Sequence, residues 1–393
     1  MSLQRTAGVL LLGLLATSAA EAQRVSFSGQ VRPRYEYRDP GGDERDEFVS
    51  MRVRAGLQAE LADDVSVFLQ LQDVRLWGEE TSPLGDFRAD AFDLHQGYLV
   101  IDRLGGEPLA ARVGRQEIAL GEERLMGAVD WTQQGQAFDG VRVRFTPDDL
   151  EADLFALRTG EDSAGEEDGW LLGAYTVFDL DDAGTLDVYG FLQRIRDLFA
   201  TDEFTVGGRY ALDRGRAHAR MEAAAQLGER SSADVSAYLV ALAAGLDLSD
   251  DVRITLWYDY LSGDADPGDD ETNVFRTLFA TNHRFYGYAD LFLDIPAHTG
   301  GRGLQDAALK LAYSPSQRTS IELDVHTFRV ARRGTLVDAH LGDEVDLTVR
   351  HRLRAALGVT AGLSHVAQDD ALAEIGRLDD DLLFGYLMLN VVF

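Results

Sequence analysis

The sequence predicts an all-β chain, a transmembrane antiparallel β-barrel of about 18 strands with short periplasmic turns and long extracellular loops. Three observations predict it. Apolar and polar residues alternate with the two-residue period of a strand. The alternating runs match the ~9–11 residues that a tilted strand needs to cross a bilayer. The connections alternate between short polar turns and longer acidic or Gly-rich segments, as the two rims of such a barrel do.

The alternation is clearest in four places. In 25–37 (VSFSGQVRPRYEY), Val25, Phe27, Val31, Tyr35 and Tyr37 oppose Ser26, Ser28, Gln30, Arg32, Arg34 and Glu36. In 49–61, Val49, Met51, Val53, Leu57 and Leu61 oppose Ser50, Arg52, Arg54, Gln58 and Glu60. In 252–260, Val252, Ile254, Leu256, Tyr258 and Tyr260 oppose Arg253, Thr255, Trp257 and Asp259. In 344–350, Val345, Leu347 and Val349 oppose Glu344, Asp346, Thr348 and Arg350. Extended along the chain, the pattern gives strands at 25–37, 49–61, 65–77, 91–101, 109–116, 136–145, 150–158, 169–179, 185–194, 202–211, 217–227, 234–247, 252–260, 303–313, 319–328, 342–352, 355–366 and 382–393. Their number is even, as in bacterial single-chain barrels.

Short turns are expected at Ala62–Asp64, Thr146–Asp149, Asp181–Gly184, Asp213–Arg216, Ser249–Asp251, Ser314–Arg318 and Leu353–Arg354. Long loops are expected at 38–48, 78–90, 117–135, 159–168, 261–302, 329–341 and 367–381. A closed barrel is the strand structure that satisfies its own backbone in lipid. The last strand, LLFGYLMLNVVF, ends on Phe393 and has the form of an assembly signal for the barrel-assembly machinery.

The first residues predict the compartment. Arg5 gives a positive start, Val9 to Ala16 is a short apolar run, and Ala20-Glu21-Ala22 is a small-x-small cleavage site before Gln23. The expected organisation is a signal peptide at 1–22 and one barrel domain at 23–393, in the bacterial outer membrane. After the leader no apolar run approaches the ~20 residues of a membrane helix. The chain has no cysteine, so disulfides and thiolate chemistry are excluded. The eight histidines form no metal-ligating motif, and neither a metal nor a cofactor is expected. A formal charge of −30 argues against nucleic acid as a partner. Lys310 is the only lysine. The arginine bias suits forked recognition of carboxylates, and a GC-rich genome would produce it too.

If the apolar faces meet lipid, the alternate faces carry charge into the lumen. Arg32, Arg34, Arg52, Arg54, Arg142, Arg144, Arg209, Arg220, Arg253, Lys310 and Arg350 then face inward, with Glu36, Glu60, Asp187, Glu222, Asp259, Asp306, Glu322, Asp324, Glu344 and Asp346. One reading is a set of salt-bridge ladders that stiffen the wall. The other is an arginine-lined path for an anionic solute, opposed by carboxylates that keep it from binding too tightly to leave. The path residues so predicted are Arg34, Arg52, Arg54, Arg142, Arg144 and Arg350, against Glu36, Glu60 and Asp346.

Several stretches resemble a known family. GRQ at 114–116, ERLMG at 123–127, Trp131 and FDGVRV at 138–143 are similar to the alginate export family of outer-membrane barrels. LQDVRLWG at 71–78, NHRFYGYADLF at 282–292 and LGDEVDLTVRHRL at 341–353 fit it as well. The resemblance implies an eighteen-stranded monomer that exports a uronate polymer through an arginine constriction partly closed by a loop. It implies constriction roles for Arg115, Arg284 and Arg329. Parity puts Arg115 with Val113, facing lipid unless a bulge intervenes, and Arg329 with Val325 at a strand end. Arg284 lies in a loop.

The expected function is therefore a channel for anionic solutes, including small anions and alginate-like oligo- or polysaccharides. A general small-solute diffusion porin is the alternative within transport. A hydrolase built on Asp324 and His326, which share a face, is the alternative outside it. A secreted carbohydrate-binding β-sandwich is disfavoured by the asymmetry of the two rims. Outer-membrane lipid and lipopolysaccharide are the expected surroundings, and the acidic loops are suited to the divalent ions that bridge lipopolysaccharide.

Overall fold

The computed structural model describes residues 24–42, 45–78, 92–160, 168–196 and 200–393. The expected signal peptide, most of loop 78–90 and the acidic run Glu161–Asp168 therefore lie outside the described residues, apart from the backbone of Asp168.

The strands are β1 (Val25–Asp39), β2 (Asp46–Ala62), β3 (Val65–Leu76), β4 (Asp93–Ile101), β5 (Leu109–Gln116), β6 (Phe138–Phe145), β7 (Leu150–Gly160), β8 (Asp168–Asp179), β9 (Thr185–Arg196) and β10 (Thr201–Arg214). They continue as β11 (Ala217–Arg230), β12 (Ala233–Asp247), β13 (Val252–Leu261), β14 (Glu271–Thr272), β15 (Leu304–Ser316), β16 (Thr319–Val330), β17 (His340–Arg354), β18 (Leu357–Gln368) and β19 (Leu382–Val392). All belong to one sheet. The two-residue β14 is a loop segment laid parallel on β12. The other eighteen close into an antiparallel barrel, sealed where β1 pairs with β19 from Gln30↔Val392 to Asp39↔Leu383. Closure leaves no unpaired edge, so every strand keeps its ladder of hydrogen bonds in lipid.

The alternation decides the two faces. Leu154, Met221 and Leu256, at 61, 58 and 64 % exposure, stand among a girdle of outward apolar side chains. The interior holds charge instead: Arg52, Asp259, Asp306 and Glu344 are fully buried. Among the described residues no helix is long and apolar enough to cross a membrane.

Two details differ from the sequence expectation. The last short turn falls at 355–356, with Arg354 paired to Leu357, and not at Leu353–Arg354. Leu353 and Arg354 extend β17 instead, with a register shift between Arg352 and Arg354. The β11–β12 connection on the long-loop rim is only Ser231–Ser232, both at positive φ (50° and 71°). That conformation is the tight hairpin turn usually given to Asn or Gly.

Two long connections leave the rim and fill the barrel. Ile118, Leu120, Leu125 and Met126 of segment 117–137 are buried, as are Phe275, Phe285, Tyr286, Phe292 and Ile295 of segment 262–303. They join one apolar cluster with inward wall residues such as Leu157, Leu171, Phe191 and Leu239. The two segments pair with each other: Gly127 donates to Phe279 O and Phe279 to Leu125 O, both at 2.9 Å. Burial of this surface, at roughly 25 cal/mol per Å², makes an internal plug a stable arrangement for segments that would otherwise be solvated loops.

Candidate functional site

The plug is held by opposite charge at two regions of the wall. On the β1–β2 wall, Arg32 donates to Asp130 O and Thr132 O, both at 2.7 Å, and Arg34 donates to Trp131 O at 2.6 Å. Arg52 reaches Asp130 Oδ1 at 2.7 Å and Arg54 reaches Glu117 Oε1 at 3.1 Å. Arginine is suited to this because one planar fork satisfies several acceptors at once. The strand period places these four side chains in a row, and segment 129–134 lies across them. Four guanidiniums this close repel one another. Asp130, bonded by both Arg32 and Arg52, offsets part of that repulsion.

On the β17 wall the polarity reverses. Glu344 Oε1 accepts from Ala289 N at 2.7 Å and Asp346 Oδ2 from Tyr288 N at 3.4 Å. Gly287, at φ +78°, leaves no room for a Cβ against the Glu344 carboxylate. Arg38, from β1, caps the same turn by donating to Ala289 O at 3.0 Å.

The two segments meet at two joints, one fully buried and one partly buried. Arg124 bonds Asp259 Oδ2 at 2.6 Å and Tyr286 Oη at 3.1 Å, with Glu222 at 3.2 Å. Burial opposes its charge, but Asp259 and the other partners outweigh that and hold its pKa above the ordinary value. Trp131 stacks on His283 at 3.8 Å, lies under the Arg34 guanidinium at 4.0 Å and donates to Asp290 Oδ2 at 2.8 Å. Glu122 is gripped by Arg209 and Arg220 of the wall. Burial works against its carboxylate, yet the two guanidiniums prevail and keep its pKa below the usual range.

Beside the plug a cavity of about 420 Å³ remains against β13, β15 and β16. Arg220, Arg253, Arg284 and Lys310 line it with Glu122, Glu322 and Asp324. Arg284 has a 55 % exposed side chain and meets its nearest acid, Glu123, only at 3.9 Å. Arg350, 43 % exposed, pairs with Glu322 at 2.5 Å.

The predicted path residues therefore divide into four groups. Arg34, Arg52 and Arg54 face inward but are buried beneath segment 129–134. Arg142 and Arg144 both grip Asp153, at 2.6 and 2.9 Å, and Arg144 adds Glu151. Arg284 and Arg350 are the partly exposed inward cations. Arg115 and Arg329 are corrections, because both face outward. Arg115 pairs with Asp139 on the face of Val113 and Val141, with no bulge between β5 and β6. Arg329 keeps the outward parity of Val325 and meets Asp338 at 3.7 Å on the long-loop rim. Of the carboxylates, Glu36 accepts from Arg34 at 2.8 Å, Asp346 joins the plug, and Glu60 is exposed near the short-turn rim.

Sequence reasoning passed over Arg124 and Asp130 as anchors. Both sit in a segment without period, and only the apolar pair Leu125-Met126 directly after Arg124 hints at burial. The proposed Asp324–His326 dyad does not form. His326 Nδ1 bonds Asp306 at 2.9 Å, while Asp324 bonds Lys310 at 2.7 Å.

The comparisons agree with this architecture. The family model described as alginate export matches residues 23–380. No curated protein matches the chain. Among solved structures, Pseudomonas aeruginosa OccK10 (OpdN) is similar with a TM-score of 0.66 at 10 % identity, covering 94 % of this chain and 99 % of that one. Pseudomonas aeruginosa OpdO is similar at 0.65 and 15 %, covering 94 % and 97 %. Acinetobacter baumannii OccAB4 is similar at 0.63 and 11 %, covering 94 % and 98 %. These likenesses show a shared outer-membrane porin fold, and the family match over residues 23–380 establishes that this protein belongs to the alginate export family of β-barrels.

Proposed function

We propose that the chain is an outer-membrane channel for anionic solutes, with carboxylated sugars of the uronate type as the preferred class. One observation carries this reading: the partly exposed inward cations Arg284 and Arg253 line the space that the plug leaves open, and Arg350 pairs with Glu322 of the same lining. Arg284 projects from the plug and the other two from the wall, so a solute passing between them meets guanidinium on both sides. Glu322 and Asp324 alternate with them, which keeps binding weak enough for release. The family description supports the uronate class. The role of the constriction falls to Arg284 and Arg350, not to Arg115 and Arg329, which face outward.

Planar-bilayer recording tests the reading. Anion preference is expected in a potassium chloride gradient, and Arg284→Ala reduces the anion-to-cation permeability ratio by about twofold or more. Cation preference in the unaltered protein overturns it. A second reading, general diffusion of small solutes, is favoured by the mixed lining, in which four basic side chains face three acidic ones. It predicts a permeability ratio near one that is indifferent to Arg284.

A further inference from the structure

The short-turn rim carries a second inward site. In a chain with 67 acidic residues, segments 311–321, 347–368 and 382–393 contain none. These segments are neighbouring strands, β15 to β19, and at the short-turn rim they bring together Arg318, Arg350, Arg352 and Arg354. A cavity of about 530 Å³ opens between Arg318, Arg350 and Arg352. Its inward wall combines Arg350 and Arg352 with Ser320, Thr360 and Asn390, and Arg318 closes the turn. Arg352 Nη2 donates to Gln317 O at 3.1 Å, and Asn390 Oδ1 accepts from Gln30 Nε2 at 2.8 Å, so both side chains are held in place. Gly358 leaves open space where a side chain would intrude.

We propose that this mouth is a capture subsite for carboxylated saccharides arriving from the periplasmic side, an inference that rests on the channel reading above. Guanidinium forks match carboxylate geometry. The hydroxyl and amide groups beside them match sugar hydroxyls. Beside Glu322, which is paired with Arg350, the β15–β19 strands carry no acid at this mouth, so on a chain of charge −30 an anion meets little local repulsion there. Arg350 belongs to both sites: it faces this cavity and pairs with Glu322 of the constriction cavity. A captured carboxylate is therefore handed directly to the constriction.

The test is channel block by trigalacturonate, with maltotriose as the neutral probe, added separately to each side of oriented insertions. The expected result is block from the short-turn side, with a half-blocking concentration raised about tenfold in Arg318→Gln/Arg352→Gln. Arg216→Gln, on the same rim but outside the cavity, keeps the original value. Heat-modifiable migration on a gel confirms that each variant forms a barrel. Equal block of the double variant and the unaltered protein, or equal block by maltotriose, overturns the subsite. If anion preference is present but block is not side-dependent, the subsite alone fails. If neither is present, the channel reading fails with it.

Discussion

The two plug segments solve one problem in opposite ways. Segment 117–137 presents carbonyls to its wall and is held by arginine donors from β1 and β2. At its 288–289 turn, segment 262–303 presents amides to β17 and is held there by Asp346 and Glu344, while Arg38 takes the Ala289 carbonyl. The sign of each wall region follows the backbone group it must satisfy, since a buried N–H or C=O left unpaired is costly. An inward row of like charge thus need not face a solute. The arginine-rich β1–β2 wall is occupied by the protein itself, and more exposed cations lie elsewhere, at Arg284 on the plug and Arg350 on β17.

The comparison breaks most severely at its joint. Arg124→Met leaves the buried wall carboxylates Asp259 and Glu222 without their cation, and a loss of roughly 3–5 kcal/mol is expected in urea unfolding from vesicles, with raised conductance as both segments loosen. Unchanged unfolding would mean the segments are held independently. Next comes the arginine side: Arg52→Lys costs about 2–3 kcal/mol, because an ammonium cannot fork between Gln30 and Asp130 as Arg52 does at 2.7 Å to each. On the carboxylate side, Glu344→Ala costs about 1–3 kcal/mol, whereas Glu344→Gln is mild, since an amide oxygen still accepts from Ala289 N. Equal losses for Glu344→Gln and Glu344→Ala would contradict the assigned role.

Acid probes the same clamps. The folded pKa of Glu122 is depressed, so its ion pairs contribute fully above the ordinary glutamate value of about 4.3 and fade as pH falls through the lower folded value. Current noise should rise below that point and subside on return to neutral pH, and Glu122→Gln should be noisy at all pH values. The smallest effect is at Arg115. Its alanine variant should change stability by no more than about 0.5 kcal/mol and leave the reversal potential where it was.

The period of two made the barrel legible. It reports which face each residue takes, and strands such as β5 and β7 begin where the alternation begins. It even placed Arg115 outward, against the constriction role implied by resemblance. What the period does not report is what an inward residue touches. Arg32 and Asp130 are 98 residues apart and meet through a segment with no repeat of its own. The resemblance implies a loop that partly closes the barrel, but the clamps and the joint at Arg124 stay hidden, although Arg32, Arg34, Arg52, Arg54, Glu344 and Asp346 all take the face that the period gives them.

Trp131 offers one more consequence. It is one of only four tryptophans, and its indole lies flat against His283 of the other segment at an interplanar angle of 4°. Any motion that parts the two segments also parts these rings, and an indole's emission depends on an imidazole this close. The molecule carries an optical gauge of its own interior, readable in intact vesicles without a label and at the same moment as the current.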